Sequence, residues 1–299
     1  SSASASALMR LIEQAGFVEG SVNLLLGDGP AGAAVVGADT DAVSFTGSES
    51  TGAKVRLAAA QRGARVQLEM GGVNGAIVLC DADLDVAVEA VLNAAFFATG
   101  QRCTATSRVI VEDQVADAFV AKLAERTRAL KIGDPRDTAT DLGPLASPAQ
   151  KARVMAALKD VEAAGLKPVF GGVLEELPHA FVAPTLYDRV EIGAMVVREE
   201  IFGPVAGVVR VSNYDEALHA LNATRFGLSA GVFTRSLKHA EHFKRHARAG
   251  MVMVNLPTAG VDYHAPFGGV AASSYGPREQ GRAARAFYTT PKTAYQRPL

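Results

Sequence analysis

The chain has 299 residues, with 30 Lys and Arg set against 31 Asp and Glu, a formal net charge of -1, and 2 cysteines. This balance offers no basic face to nucleic acid, and no apolar run approaches the ~20 residues needed to cross a bilayer, so neither nucleic acid nor a membrane is an expected partner. Two cysteines make no disulfide framework, which points to a reducing compartment such as the cytoplasm with both thiols free.

The chain opens on Ser1-Ser2-Ala3-Ser4-Ala5 without a methionine, and without the basic region and apolar core of a secretory signal, as a truncated or processed chain would. Residues 8–15 read as the end of a helix closed by Gly16, and 22–26 as a short strand stopped by Gly27-Asp28-Gly29-Pro30. A helix over 31–36, a strand over 43–46 and a helix over 49–62 follow. Residues 66–69 form the next predicted strand, Gly71-Gly72 a break, and 76–79 another strand. The spacing then predicts a helix over 84–98 behind an Asp83 cap, ending at Gly100, a strand over 108–111 and a helix over 116–130. Residues 132–148 are a loop. Strands at 205–211, 228–233 and 251–254 alternate with helices at 215–222 and 236–247. Strand and helix alternate throughout, so the expected fold class is α/β with a doubly wound, mostly parallel sheet.

Several motifs sit where chemistry could occur. Gly27-Asp28-Gly29-Pro30-Ala31-Gly32 spells GxGxxG between a predicted strand and a helix, a spacing shared by phosphate-binding turns and by ordinary glycine turns. Gly47-Ser48 opens a helix whose N-terminus could face a pyrophosphate, although Ser48 serves equally well as a plain cap. Cys103, in Gly100-Gln101-Arg102-Cys103-Thr104, stands beside a cation among small polar residues, conditions that lower a thiol pKa. Cys80 ends the apolar run 76–79 and is expected to be buried and inert. Glu69 closes a strand next to two glycines, which leaves room for water at a general base or, equally, for a surface ion pair. In Glu199-Glu200-Ile201-Phe202-Gly203-Pro204 a carboxylate and a ring could hold a ribose and a nicotinamide, or merely mark a strand entrance. Phe267, in Pro266-Phe267-Gly268-Gly269, lines a pocket or belongs to the core. His239, His242 and His246 share one helix with Lys238, Lys244 and Arg245, a solvated face rather than a metal site, and no metal is expected.

Taken in order, Phe45-Thr46-Gly47-Ser48, Leu68-Glu69-Met70-Gly71-Gly72, Gly100-Gln101-Arg102-Cys103, Glu199-Glu200-Ile201-Phe202-Gly203-Pro204-Val205 and Pro266-Phe267-Gly268-Gly269 resemble the signature of the aldehyde dehydrogenase superfamily. The stretches 255–264 and 273–281 are most similar to the branch that oxidises 2-oxoglutarate semialdehyde. The resemblance implies a partial Rossmann-type cofactor domain over 1–70, a catalytic domain over 71–275, and a returning helix and oligomerisation strand over 276–299, the strand at 293–297. It implies NAD or NADP as cofactor, an aldehyde as small-molecule substrate, and a homodimer or homotetramer. Cys103 would attack the aldehyde, hydride transfer would leave a thioester, and Glu69 would activate the water that hydrolyses it. The backbone N-H of Cys103 would be one oxyanion donor. Gly47 and Ser48 would contact the pyrophosphate, Gly71 the nicotinamide, Glu200 its ribose and Phe202 its ring, with Gly29 carried over through a turn one residue shorter than usual. Three features depart from the family pattern: Val73 stands where a lysine is common, Val270-Ala271-Ala272 replaces a basic stretch, and the asparagine, lysine and first cofactor strands found upstream in the family lie outside this sequence.

Overall fold

The computed structural model describes residues 2–173 and 177–298. Two sheets carry the chain. The smaller is built from β1 (Ala42–Thr46), β2 (Arg65–Glu69) and β10 (Ser274–Tyr275), with β1 and β2 parallel and β10 antiparallel to β2. The larger has seven strands in the order β5 (Pro168–Phe170), β6 (Thr185–Tyr187), β7 (Val205–Val211), β4 (Thr106–Glu112), β3 (Asn74–Val78), β8 (Ser229–Phe233) and β9 (Met251–Val254). Every pairing in it is parallel except β5 with β6. The mixed α/β class and parallel sheet expected from the sequence are what is found.

The central strands β3, β4 and β7 are apolar runs because both their faces are covered. Alternation sorts their side chains. Ala76, Val78, Val109, Val111, Ala206 and Val208 face the helices α4 (Leu84–Phe96) and α5 (Asp113–Arg128). Ile77, Ile110, Val205 and Val209 face the opposite way, against α6 (Pro148–Ala163), α7 (Met195–Arg198), α8 (Tyr214–Asn222) and α9 (Leu237–His246). Local chemistry sets the helix starts: Asp83 accepts from the N-H groups of Asp85 and Val86, Ser147 from Gln150, and Asn213 from Glu216.

The structure departs from the sequence in two stretches, 22–26 and 148–205. Residues 22–26 pair with no strand, and Leu24, Leu25 and Leu26 lie exposed between α1 (Ser2–Gln14) and α2 (Gly29–Gly37). A strand exists only by pairing, and among the described residues β1 and β2 pair in parallel with each other alone. Residues 293–297 carry no regular structure after α10 (Gly281–Tyr288), and the strand expected there is one that would pair with another copy of the chain. The stretch 148–205, for which the sequence reading names no element, holds α6, β5, β6 and α7. Strands of three residues are too short to show a period, and in α6 only Val154, Leu158 and Val161 reach the core through a background of alanine and charge.

The topology fixes the site. β1 and β2 present their carboxyl ends, at Thr46 and Glu69, to the gap between the sheets. β3, β4, β7 and β8 present their amino ends, at Asn74, Thr106, Val205 and Ser229, to the same region. Residues 70–73 run from the end of β2 to the start of β3 and hinge the two halves.

Candidate active site

Glu69 is the last residue of β2 and is 3% exposed. Burial pushes its carboxyl up to about 7; the Ser274 hydroxyl pulls it back, Glu279 adds to the rise and Arg278 opposes it. One oxygen accepts the Ser274 hydroxyl at 2.7 Å. The other faces Gly268, where any Cβ would come within 2.8 Å of it. The backbone carbonyl of Glu69 accepts the Gly47 N-H at 3.0 Å, tying the predicted base to the β1 turn.

Cys103 sits between a 3-10 turn (Phe97–Gly100) and β4. That turn needs left-handed backbone at Ala98, Thr99 and Gly100, an uncommon run held in place by the groups around it. Beyond it, Asn74, buried at the start of β3, donates from its side-chain amide to the carbonyls of Cys103 and Ala105, both at 2.8 Å. Thr258 donates to the carbonyl of Thr104 at 2.9 Å and pairs with Thr106 at 2.7 Å. Three successive carbonyls are thereby pinned, and the N-H groups of Cys103 and Thr104 are left facing the sulfur. The expectation of a low thiol pKa is not met. Burial raises it, and Glu200 and then Glu69 raise it further, against the pull of the two N-H groups. Arg102 is no help, because its guanidinium turns back to donate to the Asn93 carbonyl at the end of α4.

Glu200 lies beside the hinge. Its Oε1 accepts the Gly72 N-H at 3.1 Å, and its other oxygen packs so close to Gly71 that any side chain there would collide with it. Burial raises its pKa. Phe202, in left-handed backbone at φ 54°, shares a small cavity with Gly72, Arg102 and Glu200, while Gln150 donates to its carbonyl at 2.9 Å. Phe267 is buried, its backbone paired with Glu279, and forms one wall of a groove of about 420 Å³ with Met251, Met253, Leu256 and Val261. Gly47 and Ser48 open α3 (Glu49–Gln61), where the Ser48 hydroxyl accepts the Thr51 N-H at 3.3 Å, so the capping role is real.

Cys103, Glu69, Glu200, Gly71 and Phe202 are therefore drawn together around the hinge. Gly29 is not among them. It lies exposed at the first turn of α2 with open space where a side chain would sit, and the strand its fingerprint requires is absent. Cys80 also departs from expectation: it is exposed, two residues past the end of β3, with its thiol pKa raised by Glu112. His242 and His246 are exposed, as on a solvated face, with the Tyr214 hydroxyl bonded to His242 at 2.9 Å, while His239 is half-buried under the Tyr214 ring at 4.5 Å. Among the described residues no three His, Cys, Asp or Glu converge as metal ligands, and no helix is long and apolar enough to cross a membrane. Asn74, Thr258, Ser274 and Arg225 had no role in the sequence reading. Arg225 holds Glu199 through two bonds of 2.9 and 3.0 Å and Glu49 through one of 3.2 Å, clasping the loop of Glu200 to the first turn of α3. Of these, Thr258 and Ser274 fall within the stretches 255–264 and 273–281 that carry the finer resemblance, and Asn74 lies two residues ahead of the strand expected at 76–79.

A recessed thiol, faced by two amides and flanked by two partly desolvated carboxylates, thus stands at the junction of two sheets in an α/β protein. The family profile described as aldehyde dehydrogenase matches residues 1–294, and the chain belongs to that family. It is 41% identical over 303 residues to the alpha-ketoglutaric semialdehyde dehydrogenase of Bacillus subtilis, a match covering 97% of this chain and 61% of that protein. It is 40% identical over 289 residues to a betaine aldehyde dehydrogenase of Cereibacter sphaeroides, covering 96% and 59%. Among solved structures it superposes on the methylmalonate-semialdehyde dehydrogenase of Oceanimonas doudoroffii with a TM-score of 0.93 at 34% identity, covering 97% of this chain and 61% of that one. With the betaine aldehyde dehydrogenase of Staphylococcus aureus in complex with NAD+ the TM-score is 0.89 at 30% identity, covering 94% and 57%. The chain thus spans about three fifths of the length of its curated relatives.

Proposed function

We propose that this chain carries the catalytic part of an NAD(P)+-dependent aldehyde dehydrogenase that releases a free carboxylic acid, with 2-oxoglutarate semialdehyde as its substrate. The observation that carries the reading is the convergence of Cys103 and Glu69 on the two sides of the 70–73 hinge, close enough for the carboxylate to raise the thiol pKa. The residues present suit the cofactor. Among the described residues the N-H groups of Glu49 and Ser50 at the start of α3 have no acceptor, a donor pair fitted to a pyrophosphate. Glu200 and Phe202, held beside Gly71 and Gly72, would take the ribose and the nicotinamide ring. When bound, NAD(P)+ supplies the acceptor for the hydride that aldehyde oxidation releases.

The chain's own groups supply the rest. The sulfur of Cys103, once ionised, attacks the carbonyl carbon, and the N-H groups facing it stabilise the negative charge that forms. After oxidation, Glu69 takes a proton from the water that attacks the resulting thioester; a base near pH 7 is matched to that task. This carboxylate favours release of acid over transfer to coenzyme A. The substrate assignment is supported by the similarity to the B. subtilis semialdehyde dehydrogenase and by the sequence of 255–264, which borders the groove of Phe267. Two free thiols favour a cytoplasmic setting, and the exposed, unpaired 293–297 tail favours assembly into a dimer or tetramer through that segment.

The test is reduction of NAD+ or NADP+ with 2-oxoglutarate semialdehyde, betaine aldehyde and simple aliphatic aldehydes in parallel. We expect kcat/KM for the first to exceed the others by about tenfold or more, the scale at which pocket contacts discriminate. Cys103→Ala should abolish every turnover, and activity surviving in that variant rules the reading out. Acyl-coenzyme A among the products would assign the reaction to thiol transfer instead.

A further inference from the structure

The carboxylate assigned above to water activation is not held by its own strand alone. β10 is only two residues long, yet its register places Ser274 directly opposite Glu69, from 205 residues further along the chain. The pairing is locked from both sides. The Ser273 carbonyl accepts the Met70 N-H at 2.8 Å, and the Ser273 hydroxyl accepts the Gly227 N-H at 3.0 Å. The Ser274 hydroxyl in turn accepts the Gly269 N-H at 2.7 Å. An ionised carboxylate has no proton to give, so towards that form of Glu69 the Ser274 hydroxyl is the donor, to Oε2 at 2.7 Å, while its oxygen accepts the Gly269 N-H.

Resting on the reading of Glu69 as the base, we propose that Ser274 is a positioning residue for it, fixing which carboxylate oxygen faces the substrate and favouring the ionised form. A donor to a carboxyl group stabilises the anion. With Oε2 committed to Ser274, Oε1, on the Gly268 side, is the oxygen left to take a proton. The other ionisable groups around Glu69 do not do this work. Arg278 lowers the pKa by less than the serine does, its guanidinium being engaged by the Gly269 carbonyl; Glu279 raises it; and Cys103 is neutral until it reacts. Burial is the larger influence and sets the pKa high, and the serine is the strongest group acting against it.

The experiment needs no turnover. The 299-residue chain is labelled with 13C at the glutamate side-chain carboxyl, the Glu69 resonance is assigned by its loss in Glu69→Gln, and its titration is followed by NMR. We expect a midpoint about one pH unit higher in Ser274→Ala than in the unaltered chain, the size of one charged hydrogen bond, and a return towards the starting value in Ser274→Thr. An unchanged midpoint in a folded Ser274→Ala chain overturns the proposal, and so does a midpoint raised equally by Ala and Thr. Should Ser274→Ala fail to fold, Ser274→Cys takes its place as a weaker donor, with a smaller rise expected and no rise overturning the proposal. In active enzyme the acidic limb of the kcat profile should move by the same amount while KM stays constant. A shifted midpoint in a protein that oxidises no aldehyde would sink the functional reading and leave the role of Ser274 standing.

Discussion

At the scale of single residues the site depends on how little space the hinge leaves. Glu200 can approach the Gly72 N-H only because position 71 has no side chain. An alanine there would collide with its carboxylate and break a bond to a charged group, whose loss costs roughly 1.5–3 kcal/mol. Gly71→Ala should therefore weaken NAD(P)+ binding by about tenfold to a hundredfold in calorimetry. Alkylation of Cys103 should not slow, since the residues pinning the nucleophile loop are untouched and the displaced Glu200 is one of the groups that raise the thiol pKa; unaltered cofactor affinity would show that Glu200 has no part in binding. The thiol itself corrects a common inference from sequence. Arg102 is adjacent in the chain, but a side chain of that length can point anywhere, and here it caps a carbonyl of α4. Burial, and then the carboxylates of Glu200 in the loop before β7 and Glu69 in β2, raise its pKa instead.

At the scale of elements, the nucleophile loop is held by β3 and by the loop after β9. Asn74 and Thr258 are almost fully buried, and each gives its hydrogen bonds to backbone carbonyls of 103–105. Thr258→Val keeps the shape of the side chain and removes the donor, so the Thr104 carbonyl and the Thr106 hydroxyl each lose a partner in a dry interior. The expected cost is about 1–3 kcal/mol in denaturant unfolding, with slower alkylation of Cys103 but not of Cys80. Equal slowing at both thiols would mark a global loosening instead. The elements themselves were largely legible, since β1 to β4, β7 to β9, α3 to α5, α8 and α9 declare themselves by apolar period and cap. The residues that organise the site were legible only where the family motifs name them. Asn74, Thr258 and Ser274 act through contacts made across long stretches of chain, and no local pattern encodes a partner 205 residues away. The failed strand at 22–26 shows the converse: its sequence is strand-like, but pairing is a tertiary property and none is made.

At the scale of the whole molecule, placing a carboxyl group at a dry junction between two sheets sets stability against function. In the unfolded chain Glu69 ionises near its ordinary 4.5, and in the folded chain near 7. Between these values the folded state keeps a proton that the unfolded state has released, so the unfolding free energy falls as pH rises through this window and levels off above it. Below about 4.5 both states are protonated and the penalty vanishes. Glu69→Gln keeps an acceptor for Ser274 and has no proton to lose. Relative to the unaltered chain, the variant should be equally stable at pH 4 and more stable at pH 8, by on the order of 2 kcal/mol. The raised Glu200 contributes a slope of the same sign to both proteins and cancels in the comparison. Urea unfolding of the pair at several pH values measures the difference directly. Curves that stay parallel from pH 4 to pH 8 would mean that Glu69 is solvated in the folded state, and a solvated carboxylate would not be the near-neutral base that the hydrolysis of a thioester requires.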